Sequence, residues 1–267
     1  MATFDGCRYY VLFIDDFSRH TWIYPMRNKS EVFGHFQKFK SEIEKAIGRH
    51  VRCLRSDGGK EYFSDDFTTY LRREGIRREF TCRHIPQQNG VTKRKNWHIL
   101  EVARAMMNEK HMPKSYWAEA ANTAVYLMNR CTTSGVHEVT PHEKYFGKKP
   151  DLSYTRIFGV IAYVHIPDEK KQKLDPKSEK CILVGYLLEQ KGYKCFNPST
   201  QKVHVSLDVV FDEMTSWYAL ELTPSGTSTN DLDNTEDDDQ LRSIPDESLI
   251  STRLSGPQEP PSDLSTS

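Results

Sequence analysis

The sequence predicts an α/β layer domain, then a small all-β barrel, then a disordered acidic tail. Three observations support this order. Over the first 150 residues, β-rich apolar runs alternate with amphipathic helical patterns, which is typical of a layered α/β domain. Short strands at close spacing follow, and from about residue 219 the chain is rich in Ser, Thr, Pro, Asp and Glu. We therefore predict domains at residues 1–150, 151–213 and 214–267.

The first domain opens with a β-hairpin whose strands are Tyr9–Ile14 and His20–Met26. A helix follows between Ser30, a favourable N-cap, and Gly48, a favourable helix end. Its phenylalanines recur at helical spacing and are expected to be core residues. The predicted order is β-β-α-β-α-β-α-α, with the later elements at residues 51–54, 64–75, 76–81, 91–110 and 115–127, and a further short helix follows at 140–147.

The pattern changes after Pro150, where turn residues separate short apolar runs. These runs predict the strands of a small antiparallel barrel, at residues 157–166, 181–187, 193–196, 203–206 and 209–211.

The net charge of zero conceals an uneven distribution. Residues 214–267 hold 11 of the 37 acidic residues and 2 of the 37 basic ones, so the tail carries −9 and residues 1–213 carry +9. A basic folded part with an acidic tail is common among proteins that bind nucleic acid. A solubilising tail on an ordinary domain gives the same pattern.

Other patterns exclude several classes of protein. The six cysteines are scattered without close pairs, so neither a disulfide framework nor a zinc ribbon fits. No apolar run approaches the roughly 20 residues of a membrane helix, and the start of the chain does not resemble a signal peptide. We expect an intracellular protein without membrane contact, and the nucleus is one candidate compartment.

One string, PQQNGVTKRKN at Pro86–Asn96, resembles the PQQNGVAERKN signature of copia-type retrotransposon integrases. Six further strings match this family in the same order: FIDDFSR (Phe13–Arg19), LRSDGGKEY (Leu54–Tyr62), PKSYWAEA (Pro113–Ala120), TPHEKYFGKKP (Thr140–Pro150), KSEKCILVGY (Lys177–Tyr186) and DVVFDE (Asp208–Glu213). The resemblance covers roughly residues 8–213. It implies a ribonuclease-H-like integrase core followed by the SH3-like domain of these Pol polyproteins.

The resemblance also implies a catalytic chemistry. Such integrases use two aspartates and a glutamate to hold two divalent metals, Mg²⁺ or Mn²⁺, at one phosphodiester. Asp57 matches the second position, and the glutamate should follow with 35 residues between, where this chain has Lys93. An ammonium cannot ligate a metal, and we expect Lys93 to pair with Asp57 instead. Metal binding at Asp57, the remnant of the set, should be weak or lost.

The first aspartate of the set should lie on a strand upstream of the hairpin, for which the sequence offers no counterpart. Asp5 falls in a turn, and Asp15 and Asp16 match a segment outside the triad. In the fold that the resemblance implies, the absent strand is central. Its loss would leave open sheet edges and a marginal domain unless another segment fills the gap. We therefore expect a truncated, catalytically impaired chain: a fragment of a decayed element or a partial gene model.

DNA contact should survive these changes. Cationic and amide side chains lie on or beside the loop and helix of the signature, and such groups bind phosphates and bases. The expected DNA-binding residues are Arg83, Gln87, Gln88, Asn89, Arg94 and Lys95, with Lys93 and His98 beside them. From residue types alone, a solvated helix face remains an equal alternative. Trp97 is expected to be a packing residue, with stacking on DNA as the alternative.

Two function hypotheses of different classes remain. The first is an integrase-derived chain that binds DNA and descends from enzymes of DNA integration. The second is a non-enzymatic DNA- or protein-binding module derived from the same element, and a third possibility is an open reading frame without a function. DNA is the expected partner, and self-association or other Pol-derived chains are further candidates.

Overall fold

The computed structural model describes residues 2–56, 59, 64–80, 90–133, 136, 138–167, 176–187, 191–218 and 248–254, the last range and Val91 through the backbone alone. The helices are α1 (Val32–Ile47), α2 (Asp65–Arg73), α3 (Gly90–Glu109), α4 (Trp117–Met128) and α5 (Pro141–Phe146). The strands are β1 (Tyr9–Asp15), β2 (Thr21–Met26), β3 (Val51–Ser56), β4 (Arg77–Phe80), β5 (Val160–His165), β6 (Ser178–Tyr186), β7 (Tyr193–Asn197), β8 (Lys202–Ser206), β9 (Val209–Ser216) and β10 (Ser248–Leu254).

Local sequence signals explain where several helices begin and end. The Ser64 hydroxyl accepts a hydrogen bond from the backbone of Phe67 and caps α2, and Thr140 caps α5 in the same way through Glu143. Gly48 ends α1 in the left-handed conformation, with φ of 64°. These elements therefore form where the sequence predicts them.

The first sheet has five strands in the order β2-β1-β10-β3-β4. β1 and β2 form the predicted antiparallel hairpin, and β3 pairs with β4 in parallel. Between these two pairs lies β10, which runs parallel to β1 and antiparallel to β3. Ile250 faces Phe13 on one side and Ser56 on the other, so the late strand completes both hydrogen-bonding ladders at the centre of the sheet.

Helices cover both faces of this sheet. Successive residues of β1 point to opposite faces, so Val11 and Phe13 pack with α1 and α2, while Tyr10 and Leu12 pack with α3 and α4. The two resulting clusters form the core of the first domain. The predicted phenylalanine stripe is confirmed, because Phe36 and Phe39 are fully buried and Phe33 packs against the same cluster.

The second sheet is antiparallel, with five strands in the order β8-β7-β6-β5-β9. It packs directly on α4 of the first domain. Ile182, Val184 and Phe196 belong to the same buried cluster as the alanines of α4, and the Tyr126 and Tyr186 rings stack at a centroid distance of 4.5 Å. A buried carboxylate reinforces the contact, since Glu119 pairs with Lys194 at 2.9 Å. The two sheets therefore share one of their buried clusters.

The α/β class and the all-β second part are confirmed. The tail differs from its prediction at two places: β9 continues to Ser216, and seven residues within the segment predicted to be disordered form β10. The remaining tail residues, 219–247 and 255–267, lie outside the described ranges. The gap expected at the sheet centre is thus filled by a segment of this chain.

The central position of β10 predicts a strong dependence of folding on the tail. A chain that ends after Glu247 lacks both ladders of β10. The truncated sheet is divided at its centre, and the typical total stability of a domain is only about 5–15 kcal/mol. We therefore expect the cooperative thermal transition to disappear in calorimetry.

A chain that ends after Leu254 is the matched control, because it retains β10 and should unfold cooperatively. Equal melting temperatures for the two truncated chains would contradict the role assigned to β10.

Candidate nucleic-acid interface

The first turns of α3 are oriented by three buried side chains. Thr92, Asn96 and Ile99 are 5%, 7% and 0% exposed, and the Asn96 carbonyl oxygen accepts a hydrogen bond from the Tyr10 hydroxyl of β1. These positions recur at helical spacing and lie on one face of the helix. The opposite face therefore points to solvent, and its exposed members are Lys93, Arg94, Trp97 and His98.

We call these four residues the α3 patch. The guanidinium of Arg94 lies over the start of the helix, since a Cβ atom added to Gly90 would be 3.7 Å from its Nη1 atom. The first turn carries no acidic residue. Cations here stand at the positive end of the helix dipole, where acidic groups are normally favoured. The positive charge of two side chains and of the helix end is thereby concentrated at one place.

Lys95 points differently from its neighbours. Its side chain is half-buried, and burial lowers the pKa of its ammonium to about 8. Its charge also contributes to lowering the pKa of buried His20. Lys95 therefore belongs partly to the interior, and the structure separates it from the exposed Lys93 and Arg94 with which the sequence grouped it.

Trp97 corrects a sequence expectation. It was expected to pack, but its side chain is 63% exposed and lies one turn after Lys93 on the same face of α3. The spacing of four residues from Lys93 could have indicated this position, had the buried face been assigned from Thr92, Asn96 and Ile99.

The other predicted site residues lie outside the described residues. These are Asp57, Arg83, Gln87, Gln88 and Asn89. Their roles, and the expected pairing of Lys93 with Asp57, stay predictions.

The carboxylates of the hairpin turn have structural partners. One Asp15 oxygen accepts hydrogen bonds from the backbone and hydroxyl of Ser18, at 2.8 and 2.6 Å. Asp16 pairs with Arg19 at 3.2 Å and with Arg55 of β3 at 3.6 Å. Arg55 also binds Glu79 of β4 at 2.9 Å, and this hydrogen bond lowers the pKa of Glu79. The network ties the hairpin to β3 and β4.

The described residues do not fit a two-metal carboxylate site. Lys93 is a cation, and Asp16 is paired with two arginines. Ser18 binds Asp15 Oδ2, while Asp15 Oδ1 is buried without a hydrogen-bond partner among the described residues. Within the described ranges, one group of three ligand-type side chains has its ligand atoms within 4.8 Å of one another, and it lies in the second sheet. No catalytic step through Mg²⁺ or Mn²⁺ therefore follows from these residues.

A histidine pair lies beneath the hairpin turn. His20 is 6% exposed and packs against Trp22, Tyr145 and His142, with ring centroids 4.4, 5.1 and 6.0 Å away. Burial lowers the pKa of His20 well below 6.5, and the charges of its neighbours lower it further. Burial, followed by the charge of Arg130, lowers the pKa of His142 to about 4. Both imidazoles are therefore neutral in the folded protein near pH 7.

Over 208 residues the chain is 43% identical to the retrovirus-related Pol polyprotein from transposon TNT 1-94 of Nicotiana tabacum, and the match covers 78% of this chain and 16% of that polyprotein. The chain is thus similar over most of its length to retrotransposon Pol polyproteins. The Pol polyprotein from transposon RE2 of Arabidopsis thaliana is 35% identical over 230 residues, which are 86% of this chain and 16% of that protein. The chain thus spans about one sixth of the length of these Pol polyproteins.

The model of the retroviral polymerase SH3-like domain matches residues 160–225. Two solved structures show a looser similarity, each at 15% identity. One is a simian T-cell lymphotropic virus intasome complex (TM-score 0.42, covering 72% of this chain and 67% of that chain). The other is the HTLV-2 integrase catalytic core with magnesium (TM-score 0.39, covering 49% of this chain and 80% of that chain). None of the helices in the described ranges has the length and apolar character needed to cross a membrane.

The histidine pair predicts a pH-dependent stability. As pH falls from about 6.5 to about 4, the imidazoles bind protons in the unfolded chain but stay neutral in the folded protein. The free energy of unfolding therefore decreases over this interval. His142→Gln removes one of these groups. In urea titrations, the free energy of unfolding of the variant should fall by about 1 kcal/mol less than that of the wild type over this interval. This value is reduced because His142 is partly exposed.

The matched control is His165→Gln, since His165 lies exposed on β5 and meets solvent in the folded and unfolded chain. Identical pH profiles for wild type and His142→Gln would show that the burial of His142 has no energetic consequence.

Proposed function

We propose that this chain is an integrase-derived DNA-binding protein that contacts the phosphate backbone through the α3 patch, and that its metal-dependent strand transfer is impaired. The relationship to Pol polyproteins supports the lineage. The observation that carries the binding proposal is the exposure of Lys93 and Arg94 at the N-terminus of α3.

Electrostatics favours an anionic ligand at this end of the helix. The free N–H groups of a first turn and the helix dipole both attract negative charge. A cation in the first turn opposes the dipole at a cost of about 0.3–1 kcal/mol in the isolated protein. Such a local conflict is expected where binding, rather than stability, selects the residue. A phosphate beside Arg94 and Lys93 would resolve it.

The rest of the α3 patch suits nucleic acid as well. Trp97 presents an indole ring to solvent on the same face as Lys93, and an aromatic ring beside cations can stack on an exposed base. Contacts of this kind are largely independent of sequence, as are phosphate contacts. The predicted contacts of Arg83, Gln87, Gln88 and Asn89 would extend this surface.

Loss of catalysis rests on the identity of one residue. Lys93 lies exposed in the first turn of α3, at the position where the resemblance expects a metal-binding glutamate. Mg²⁺ requires hard anionic oxygens, and an ammonium both fails to ligate it and repels it. The magnesium bound by the similar viral integrase core is a property of that protein. Asp57 alone would hold a divalent ion weakly.

A salt titration tests the DNA contact. The proposal predicts that binding of a short duplex weakens as salt rises, because cations of the protein displace counterions. The double substitution Lys93→Ala and Arg94→Ala should lower the slope of log K against log salt by about 2, one for each lost phosphate contact. Fluorescence anisotropy measures both quantities.

Lys45→Ala is the matched control, since Lys45 is exposed on α1, which covers the opposite face of the first sheet. Its slope should equal that of the wild type. An affinity that does not depend on salt, or an equal decrease in slope for the control, would refute the proposed contact.

A single-turnover assay tests the catalytic part. With Mg²⁺ or Mn²⁺ and a DNA 3′-end, the wild-type chain should yield no strand-transfer product. Asp57→Ala is the diagnostic control: product formed by the wild type and lost in this variant would mean that the metal site works despite Lys93.

A protein-binding module is the second candidate function. Val203, Val205, Leu207 and Val210 are 45–68% exposed on or between β8 and β9, which are the edge strands of the second sheet. Exposed apolar side chains on sheet edges are typical of protein contact surfaces. Weak, salt-independent DNA binding would favour this candidate.

A further inference from the structure

Three side chains with metal-ligating atoms converge in the second sheet, away from the α3 patch. They are Glu179 and Cys181 on β6 and His204 on β8. The carboxylate oxygen, thiol sulfur and imidazole nitrogen all lie within 4.8 Å of one another. Neither the resemblance nor the proposed DNA contact assigns a role to this group.

The strand register explains why the three meet. Glu179 and Cys181 are two residues apart on one strand, so they share a face of the sheet. On the intervening strand β7, Cys195 lies opposite Leu183 of β6 and opposite His204 of β8. Side chains opposite one another in a ladder share a face, so His204 points to the same side as Cys181.

Burial and contact geometry favour a ligand site. Cys181 is fully buried, while the side chains of Glu179 and His204 are 25% and 28% exposed, so the group reaches from the core to the surface. The His204 Nε2 atom is itself buried and lies 3.2 Å from Glu179 Oε1. That contact satisfies the distance of an ion pair but lacks hydrogen-bond alignment, so Nε2 has no hydrogen-bond partner in the described residues.

A neighbouring amide orients the carboxylate. The Asn197 side chain is 6% exposed, and its Nδ2 donates to Glu179 Oε1 at 2.5 Å. Its own carbonyl oxygen accepts from the backbone N–H of Ser199 at 2.8 Å. A carboxylate held by an anchored amide is the supporting arrangement found around metal ligands.

We propose that Glu179, Cys181 and His204 bind one divalent transition-metal ion of the zinc class. Zinc takes sulfur, nitrogen and oxygen ligands at about 2.0–2.3 Å, which places tetrahedral ligand atoms roughly 3.4 Å apart. The 3.2 Å contact already has this spacing. Binding would release the thiol proton of Cys181 to solvent and form a metal–thiolate bond. Three protein ligands leave a fourth position for water or an incoming group.

The alternative is an ion pair of Glu179 and His204 beside an inert thiol. Titration with cobalt distinguishes this alternative from a metal site. The full chain, freed of metal by a chelator, is titrated with Co²⁺ and followed by absorption. We expect one equivalent to give thiolate-to-cobalt charge-transfer and tetrahedral ligand-field bands. Cys181→Ser should abolish the charge-transfer band, and His204→Gln should weaken Co²⁺ binding at least tenfold. Zn²⁺ should displace the cobalt and erase the spectrum.

The controls are Cys131→Ser and His165→Gln, which replace an exposed thiol and an exposed imidazole elsewhere. Both should retain the wild-type spectrum. Far-UV circular dichroism verifies that each variant is folded. If Cys181→Ser unfolds, the milder variant Glu179→Gln replaces it and should weaken Co²⁺ binding. A folded wild type without a thiolate band, or a band that survives Cys181→Ser, overturns the proposal. DNA titrations are independent of this outcome.

Discussion

Pairing of β10 with both β1 and β3 is the interaction on which the first domain depends. Without a strand at this position, the hairpin and the β3–β4 pair would be two separate ribbons, each with an open edge. Helices α1 and α2 on one face, and α3 and α4 on the other, pack on side chains from a continuous sheet. The last strand of the described residues therefore governs contacts made by elements near the start of the chain. Such pairing has high sequence separation, which is typical of slowly folding topologies.

Much of this architecture could be predicted from the sequence, because most elements carry their own signals. Periodic phenylalanines, capping residues and helix-ending glycines define α1, α2 and α5 locally. β10 lacks such a signal: its Ser-Leu-Ile-Ser-Thr-Arg-Leu run lies within a polar, proline-containing tail, and only its partners β1 and β3 make it a strand. Tertiary context decided this element, as it often does for strands.

The candidate site was predictable in residue type but not in orientation. Lys93, Arg94 and Lys95 are consecutive, and the direction in which each points around the helix follows only once the buried face of α3 is assigned. The hydrogen bond from Tyr10 to Asn96 fixes the helix rotation, and that contact joins residues 86 positions apart. This rotation of α3 exposes Trp97 and partly buries Lys95. The Glu179, Cys181 and His204 group was missed for a similar reason, since its ligands come together through the register of three strands.

The core shared by the two sheets bears on how such sequences can be exchanged. Pro150 marks a change of secondary structure, but the tyrosine stack, the Glu119–Lys194 pair and the cluster around Ile182 cross it. Gly159 adds a steric constraint, because a methyl group there would lie 2.9 Å from Lys110 Cβ. A recombination event that swapped the second sheet for a distant homologue would have to match α4 side chain for side chain. Crossovers between α4 and β5 are thus disfavoured, and the two sheets should be inherited together.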